Sequence, residues 1–234
     1  MGQGIAQIAA QAGSLVKLYD VKAEAVAKAS KNMHQQWNKL LEKNRFTAEQ
    51  VTQFKANLLS ASQLSDLNDC DLVIEAIVER LDIKQSFFAE LEQIVQPSAV
   101  LVTNTSSLSV TAIASALKRP AQFAGYHFFN PVPLMKVVEV IAGLKTNPHV
   151  CASLTEYAKQ MGHKAVNAQD TPGFIVNHAG RGYGTEALRI VSEGIADFAT
   201  IDRILKDQAG FKLGPFELMD LTALDVSHPV MESI

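Results

Sequence analysis

His127 and Glu139 are the residues whose types and spacing best suit chemistry. Both lie in the run G-Y-H-F-F-N-P-V-P-L-M-K-V-V-E-V over 125–140. A carboxylate beside an imidazole fixes its tautomer and stabilises its protonated form. Such a pair is a general acid/base assembly when a reacting group lies within hydrogen-bond reach. The run reads as a short strand closed by His127, a turn braced by Pro131 and Pro133, and a second strand containing Glu139. The prolines limit how far the pair can drift. The same residues occur without chemistry, since a histidine on an apolar strand packs in many cores and a glutamate among valines can be an edge charge. The elements around the pair therefore decide.

Residues 71–78 (DLVIEAIV) read as a buried strand with Glu79 and Lys84 just past its end. Residues 99–104 (AVLVTN) read as another, running into Asn104-Thr105-Ser106-Ser107. In a doubly wound sheet these C-terminal ends line the ligand crevice. Ser106 can present a hydroxyl to a substrate there; Ser106 and Ser107 can equally cap a helix beginning near Ser109. Residues 2–12 form an Ala-rich helix closed by Gly13, and 15–20 a strand ending in Asp20. Helix, strand and acid are the second half of a dinucleotide-binding unit. Gly2 takes the place of the third glycine of G-x-G-x-x-G, the one that lets helix and strand pack closely. Asp20 falls where a carboxylate grips a ribose 2′-OH and repels a 2′-phosphate, which favours NAD over NADP. Asp20 can otherwise be a turn residue or a helix cap.

The remaining elements fill an α/β pattern. Residues 22–45 and 47–58 read as helices, with Thr47 as N-cap of the second. Lys39, Lys43 and Arg45 make a solvated face or a landing place for phosphates. Helices follow over 80–95 and 148–162, with a last strand at 164–168. Asp170-Thr171-Pro172-Gly173 breaks the pattern, and beyond it 174–193, 200–209 and 215–223 read as helical. Two domains are expected, 1–169 and 170–234. The first is a Rossmann-like doubly wound sheet lacking its first strand, and the second is all helical.

With 47% hydrophobic and 19% charged residues, the 234-residue chain is an ordinary globular one. A net charge of −3 argues against a nucleic-acid surface. Two cysteines, Cys70 and Cys151, suit a reducing compartment better than a disulfide framework. No apolar run approaches a membrane span, and the N-terminus has no basic region ahead of its apolar stretch. A cytoplasmic protein without membrane or nucleic-acid partners is expected, and no metal.

Five ordered motifs resemble the 3-hydroxyacyl-CoA dehydrogenases: E-A-I-V-E at 75–79, N-T-S-S-L at 104–108, the 125–140 run, D-T-P-G-F-I-V-N at 170–177 and G-P-F-E-L-M-D at 214–220. The resemblance covers nearly the whole chain. It implies NAD-linked interconversion of an (S)-3-hydroxyacyl-CoA and its 3-ketoacyl-CoA, with dimerisation through the helical domain where that domain is complete. It makes His127 the catalytic base and Glu139 its partner. Ser106 becomes the hydroxyl on the oxygen at C3, and Asn177 the amide that helps place substrate and cofactor. Gly2, Asp20, Glu79, Lys84, Ser106 and Asn130 become cofactor contacts, and Lys43 a basic residue near the CoA. The Y-G-T-E-A-L-R run at 183–189 looks nearer to bacterial enzymes of phenylacetate or butyrate metabolism than to long-chain β-oxidation. The rival reading is a non-catalytic structural or CoA-binding member of the same fold.

Three departures from the family pattern carry expectations. The chain begins inside the cofactor fingerprint, so a slot beside the strand ending at Asp20 is expected; either the sequence is a fragment or its start lies upstream of Met1, and if Met1 is the start, weak or no NAD binding is expected. The helical domain stops at Ile234, so an incomplete dimer surface is expected. Residues 177–184 read N-H-A-G-R-G-Y-G, glycine-rich enough for a loose or kinked helix, with His178 on the surface.

Overall fold

The computed structural model describes residues 1–222. The chain forms two compact units, Met1–Asp170 and Thr171–Ile234. The first is Rossmann-like α/β and the second helical.

The first unit opens with α1 (Gly2–Gln11), β1 (Val16–Leu18), α2 (Ala23–Glu42), α3 (Ala48–Ala56) and β2 (Leu58–Ser60). Ala residues at the contact face let α1 lie between two clusters. Ile5, Ile8 and Ala9 pack with Val102, Tyr126 and Val140, while Ala6 and Ala10 pack with Met33, Trp37 and Phe54. Thr47 caps α3 in a capping box with Gln50, as the sequence led us to expect. The chain then enters β2 after a single turn residue, Asn57. This strand was not expected, because the helical reading ran on to residue 58; α3 stops at Ala56 and Leu58–Ser60 pairs in parallel with Val16–Leu18.

The unit continues with β3 (Leu72–Glu75), α4 (Leu81–Ile94), β4 (Val100–Thr103), α5 (Val110–Ala114), β5 (Phe123–Phe128), β6 (Val137–Ala142), α6 (Pro148–Gln160) and β7 (Lys164–Gln169). Two sheets result, β1-β2 and β3-β4-β5-β6-β7. β3, β4 and β5 run parallel, β6 turns back against β5, and β7 is parallel to β6. Parallel strands are normally covered on both faces. Here Val16–Leu18 of β1 and Leu72–Ile74 of β3 are only half-buried, and the two strands belong to separate sheets.

The second unit holds α7 (Val176–Ser192), α8 (Phe198–Asp207) and α9 (Pro215–Thr222). Asp197 caps α8, and Asp202 accepts from Phe216 N and Glu217 N at the start of α9. In line with the helical reading of 174–193, α7 runs through Gly180 and Gly182 as one helix. Glycine lowers helix propensity without forbidding the helix. Here α7 is held by contacts such as Tyr183 Oη donating to Leu213 O at 2.7 Å and the Tyr183–Phe211 ring contact.

Candidate functional site

β5 and β6 set His127 directly opposite Glu139 in antiparallel register. All six residues of β5 are buried, and Glu139 is 0% exposed. Nδ1 of His127 lies 2.7 Å from Oε2 of Glu139. A neutral imidazole can meet a carboxylate only by donating, so Nδ1 carries the proton and Nε2 the lone pair. The ring also packs 4.5 Å from Phe129.

The turn after β5 is held from several sides. Leu134 N and Met135 N both donate to Pro131 O. A ring nitrogen of His163, Nε2, lies 3.1 Å from Val132 O. Gly4 of α1 comes so close that a Cβ there would sit 2.9 Å from Val132 Cβ. Only glycine lets the helix approach at that distance. The contact of Gly4 and the role of His163 were not legible in the sequence, since neither residue carries a local signal of its distant partner Val132.

Asn104 sits between β4 and β5. Its backbone N donates to Glu75 O and its Oδ1 accepts from Phe128 N, both at 2.8 Å. The next residues wrap around a carboxylate. Glu79 Oε1 accepts from Thr105 Oγ1 at 2.5 Å, Ser106 N at 2.9 Å, Ser107 Oγ at 3.1 Å and Ser107 N at 3.3 Å. Burial acts to raise the Glu79 carboxyl, but the Thr105 hydroxyl, the Lys84 ammonium and the Ser106 amide outweigh it. The group stays below the usual carboxylate range. Ser109, not Ser106 or Ser107, caps α5, accepting from Ala112 N. Lys84 is 1% exposed and bridges Glu75 at 2.6 Å and Glu79 at 3.2 Å. Asp170, read in the sequence only as part of a domain break, also holds the start of α5. It accepts from Ser109 Oγ, Val110 N and Thr111 N.

The sequence's candidate dinucleotide residues lie in the first unit. No acid lies in the first turn of α1, so its start favours an anion. A Cβ on Gly2 would lie 3.8 Å from Ala76, so α1 begins beside the end of β3. Asp20 follows β1 and is exposed, with Oδ1 accepting from Lys22 N at 2.8 Å. Asn130 and Lys43 are exposed, and Lys43 borders an open hollow with Lys39, Asn32 and Gln36. These residues suit NAD: the start of α1 for phosphate, Asp20 for a ribose, and Glu79 beyond the end of β3 as a second acid. Asn177 stands at the second position of α7, and His178 is exposed. Among the described residues no cluster of His, Cys, Asp or Glu fits a metal ion, and no helix is long and apolar enough to cross a membrane.

Residues 1–171 match the family model "3-hydroxyacyl-CoA dehydrogenase, NAD binding domain", and residues 173–234 match "3-hydroxyacyl-CoA dehydrogenase, C-terminal domain". The chain is 44% identical over 234 residues to 3-hydroxyadipyl-CoA dehydrogenase of Escherichia coli, covering 100% of this chain and 49% of that protein. It is 41% identical over 232 residues to a probable 3-hydroxybutyryl-CoA dehydrogenase of Deinococcus radiodurans, covering 99% of this chain and 83% of that protein. Among solved structures, 3-hydroxybutyryl-CoA dehydrogenase from Escherichia coli superposes with a TM-score of 0.98 at 44% identity, over 100% of this chain and 49% of that one. (S)-3-hydroxybutyryl-CoA dehydrogenase from Ralstonia eutropha superposes with a TM-score of 0.96 at 34% identity, over 100% of this chain and 82% of that one. The chain thus spans 49% of the length of its Escherichia coli relative.

Proposed function

The chain belongs to the 3-hydroxyacyl-CoA dehydrogenase family, and from that premise we propose that it interconverts an (S)-3-hydroxyacyl-CoA and the 3-ketoacyl-CoA with NAD. The observation that carries this reading is the buried contact of 2.7 Å between His127 Nδ1 and Glu139 Oε2.

With Nδ1 donating to Glu139, Nε2 of His127 takes the proton from the 3-hydroxyl of the substrate. Glu139 faces the imidazolium that forms and balances its charge in a site from which water is largely excluded. In the reverse direction the imidazolium returns the proton to the ketone oxygen. Ser106 donates a hydrogen bond to the same oxygen and keeps it near His127. When bound, NAD would accept the hydride released from C3 of the substrate; Asp20, the start of α1 at Gly2, and the group of Glu79, Lys84, Ser106 and Asn130 would hold it. Asn177 of the second unit contributes an amide to substrate placement, and Lys43 a positive charge for the CoA. Short or dicarboxylic acyl chains are the favoured substrates, since the named relatives act on 3-hydroxybutyryl-CoA and 3-hydroxyadipyl-CoA. A place in fatty-acid or aromatic-acid degradation, in the cytoplasm and as a homodimer through the helical unit, completes the reading.

Loss of absorbance at the NADH band on adding acetoacetyl-CoA tests it. Steady oxidation is expected; no turnover with any short 3-ketoacyl-CoA, at NADH concentrations that saturate binding, would favour the non-catalytic reading instead.

A further inference from the structure

Glu75 is a buried acid that the proposed reaction does not use. It is 3% exposed at the end of β3 and collects three donors: Lys84 Nζ at 2.6 Å, Ile77 N at 2.6 Å and Thr103 Oγ1 at 2.7 Å. Burying a carboxylate is costly unless every lone pair is met, and a leucine would fill the space without that cost. The strand pairing does not need the side chain either. Glu75 and Thr103 are already in register through the backbone, and Asn104 N donates to Glu75 O.

Two routes lead from this carboxylate to one short segment. Through Oε2 it binds Thr103 Oγ1, which in turn accepts from Thr105 N at 3.2 Å. Through Oε1 it binds Lys84, which reaches Glu79 Oε2 at 3.2 Å. The other Glu79 oxygen gathers Thr105 Oγ1, Ser106 N and Ser107 N. Both routes end on residues 105–107, and Ser106 is the middle one. Two carboxylates share the single ammonium of Lys84, so Glu75 decides how strongly that ammonium draws on Glu79.

We infer that Glu75 is a positioning residue for the Ser106 hydroxyl, acting through Thr103 on one side and through Lys84 and Glu79 on the other. The inference rests on the dehydrogenase reading for what Ser106 does, but not for how the segment is held. In Glu75→Gln an amide NH2 replaces one acceptor. Either Lys84 or Thr103 then loses its acceptor and Lys84 loses one of its two charge partners, so the 105–107 segment loosens while β3 and β4 stay paired.

The test has two arms on the full chain. In the first, amide hydrogen exchange is followed residue by residue in the absence of cofactor. Glu75→Gln is expected to speed exchange at Thr105, Ser106 and Ser107 by about tenfold or more, with Leu101 and Val102 unchanged. Unchanged exchange at 105–107 overturns the inference. In the second, Glu75→Gln, Ser106→Ala and the double variant are compared by kcat and KM with acetoacetyl-CoA. Alone, Glu75→Gln is expected to lower kcat about tenfold with KM within about threefold; in the Ser106→Ala background it is expected to cost less than about twofold. Equal cost in both backgrounds marks a general structural role and overturns the inference. Should Glu75→Gln fail to fold, Thr103→Val cuts one route with every charge retained, and the same outcomes apply. If the native chain does not turn over, the dehydrogenase reading fails, while the exchange arm still decides how the segment is held.

Discussion

Replacing Glu139 with glutamine removes one negative charge 2.7 Å from Nδ1 of His127 while keeping size and one acceptor oxygen. The charge centres of carboxylate and imidazolium lie roughly 4 Å apart, and at an effective dielectric constant of about 20 their attraction is about 4 kcal/mol. The imidazolium is partly formed in the transition state; taking half its charge gives about 2 kcal/mol, or roughly a 30-fold loss. The loss belongs in kcat and not in KM, because the ground state holds a neutral imidazole. The assay is initial-rate NAD reduction with (S)-3-hydroxybutyryl-CoA, the direction in which His127 starts as the neutral base, with a thermal melt of each variant to confirm folding. A fall of less than about threefold in kcat, or a change confined to KM, would refute the charge-balancing role of Glu139.

Three further outcomes follow from packing and charge. Gly125→Ala would place a Cβ 2.8 Å from Val110 Cγ2 and 2.9 Å from Ile141 Cβ, so it is expected to destabilise by about 1–3 kcal/mol and lower Tm by several degrees in differential scanning calorimetry. Gly182→Ala meets nothing within 4 Å and sits inside α7, so it is expected to stabilise that helix by about 0.5–1 kcal/mol, read as a higher urea midpoint for the second unit. Glu79 titrates below its ordinary value of 4.5, which means the folded chain binds its proton less readily than the unfolded chain. Its contribution is therefore complete above about pH 4.5 and disappears as pH falls through the lowered folded value. The slope of Tm against pH between 5 and 3 is expected to flatten in Glu79→Gln.

Much of this was legible in the sequence because the signals are local. The apolar runs around 72–75, 100–103, 123–128 and 137–142 announce strands by composition, and the prolines at 131 and 133 mark the turn that folds His127 back onto Glu139. A strand-turn-strand with His127 near one end and Glu139 inside the other leaves few registers, and the observed one pairs them. β2 was not legible: three residues that follow a helix after a single turn residue carry no period, and their pairing with β1 is set by the parallel crossover through α2 and α3. The binding network of Glu75 was equally hidden. Its partners Lys84, Thr103 and Ile77 come together only when β3 and β4 align. The glycines of α7 show where propensity stops being informative. Propensity counts their cost but not the tertiary contacts of Tyr183 that hold the helix.

His127→Gln tests the central claim most directly, because it removes the base while preserving a polar side chain of similar reach. NAD binding measured by titration calorimetry is expected to stay within a fewfold of the native protein, while turnover of acetoacetyl-CoA falls by at least ~10². Turnover equal to that of the native protein would contradict the assignment of proton transfer to this imidazole.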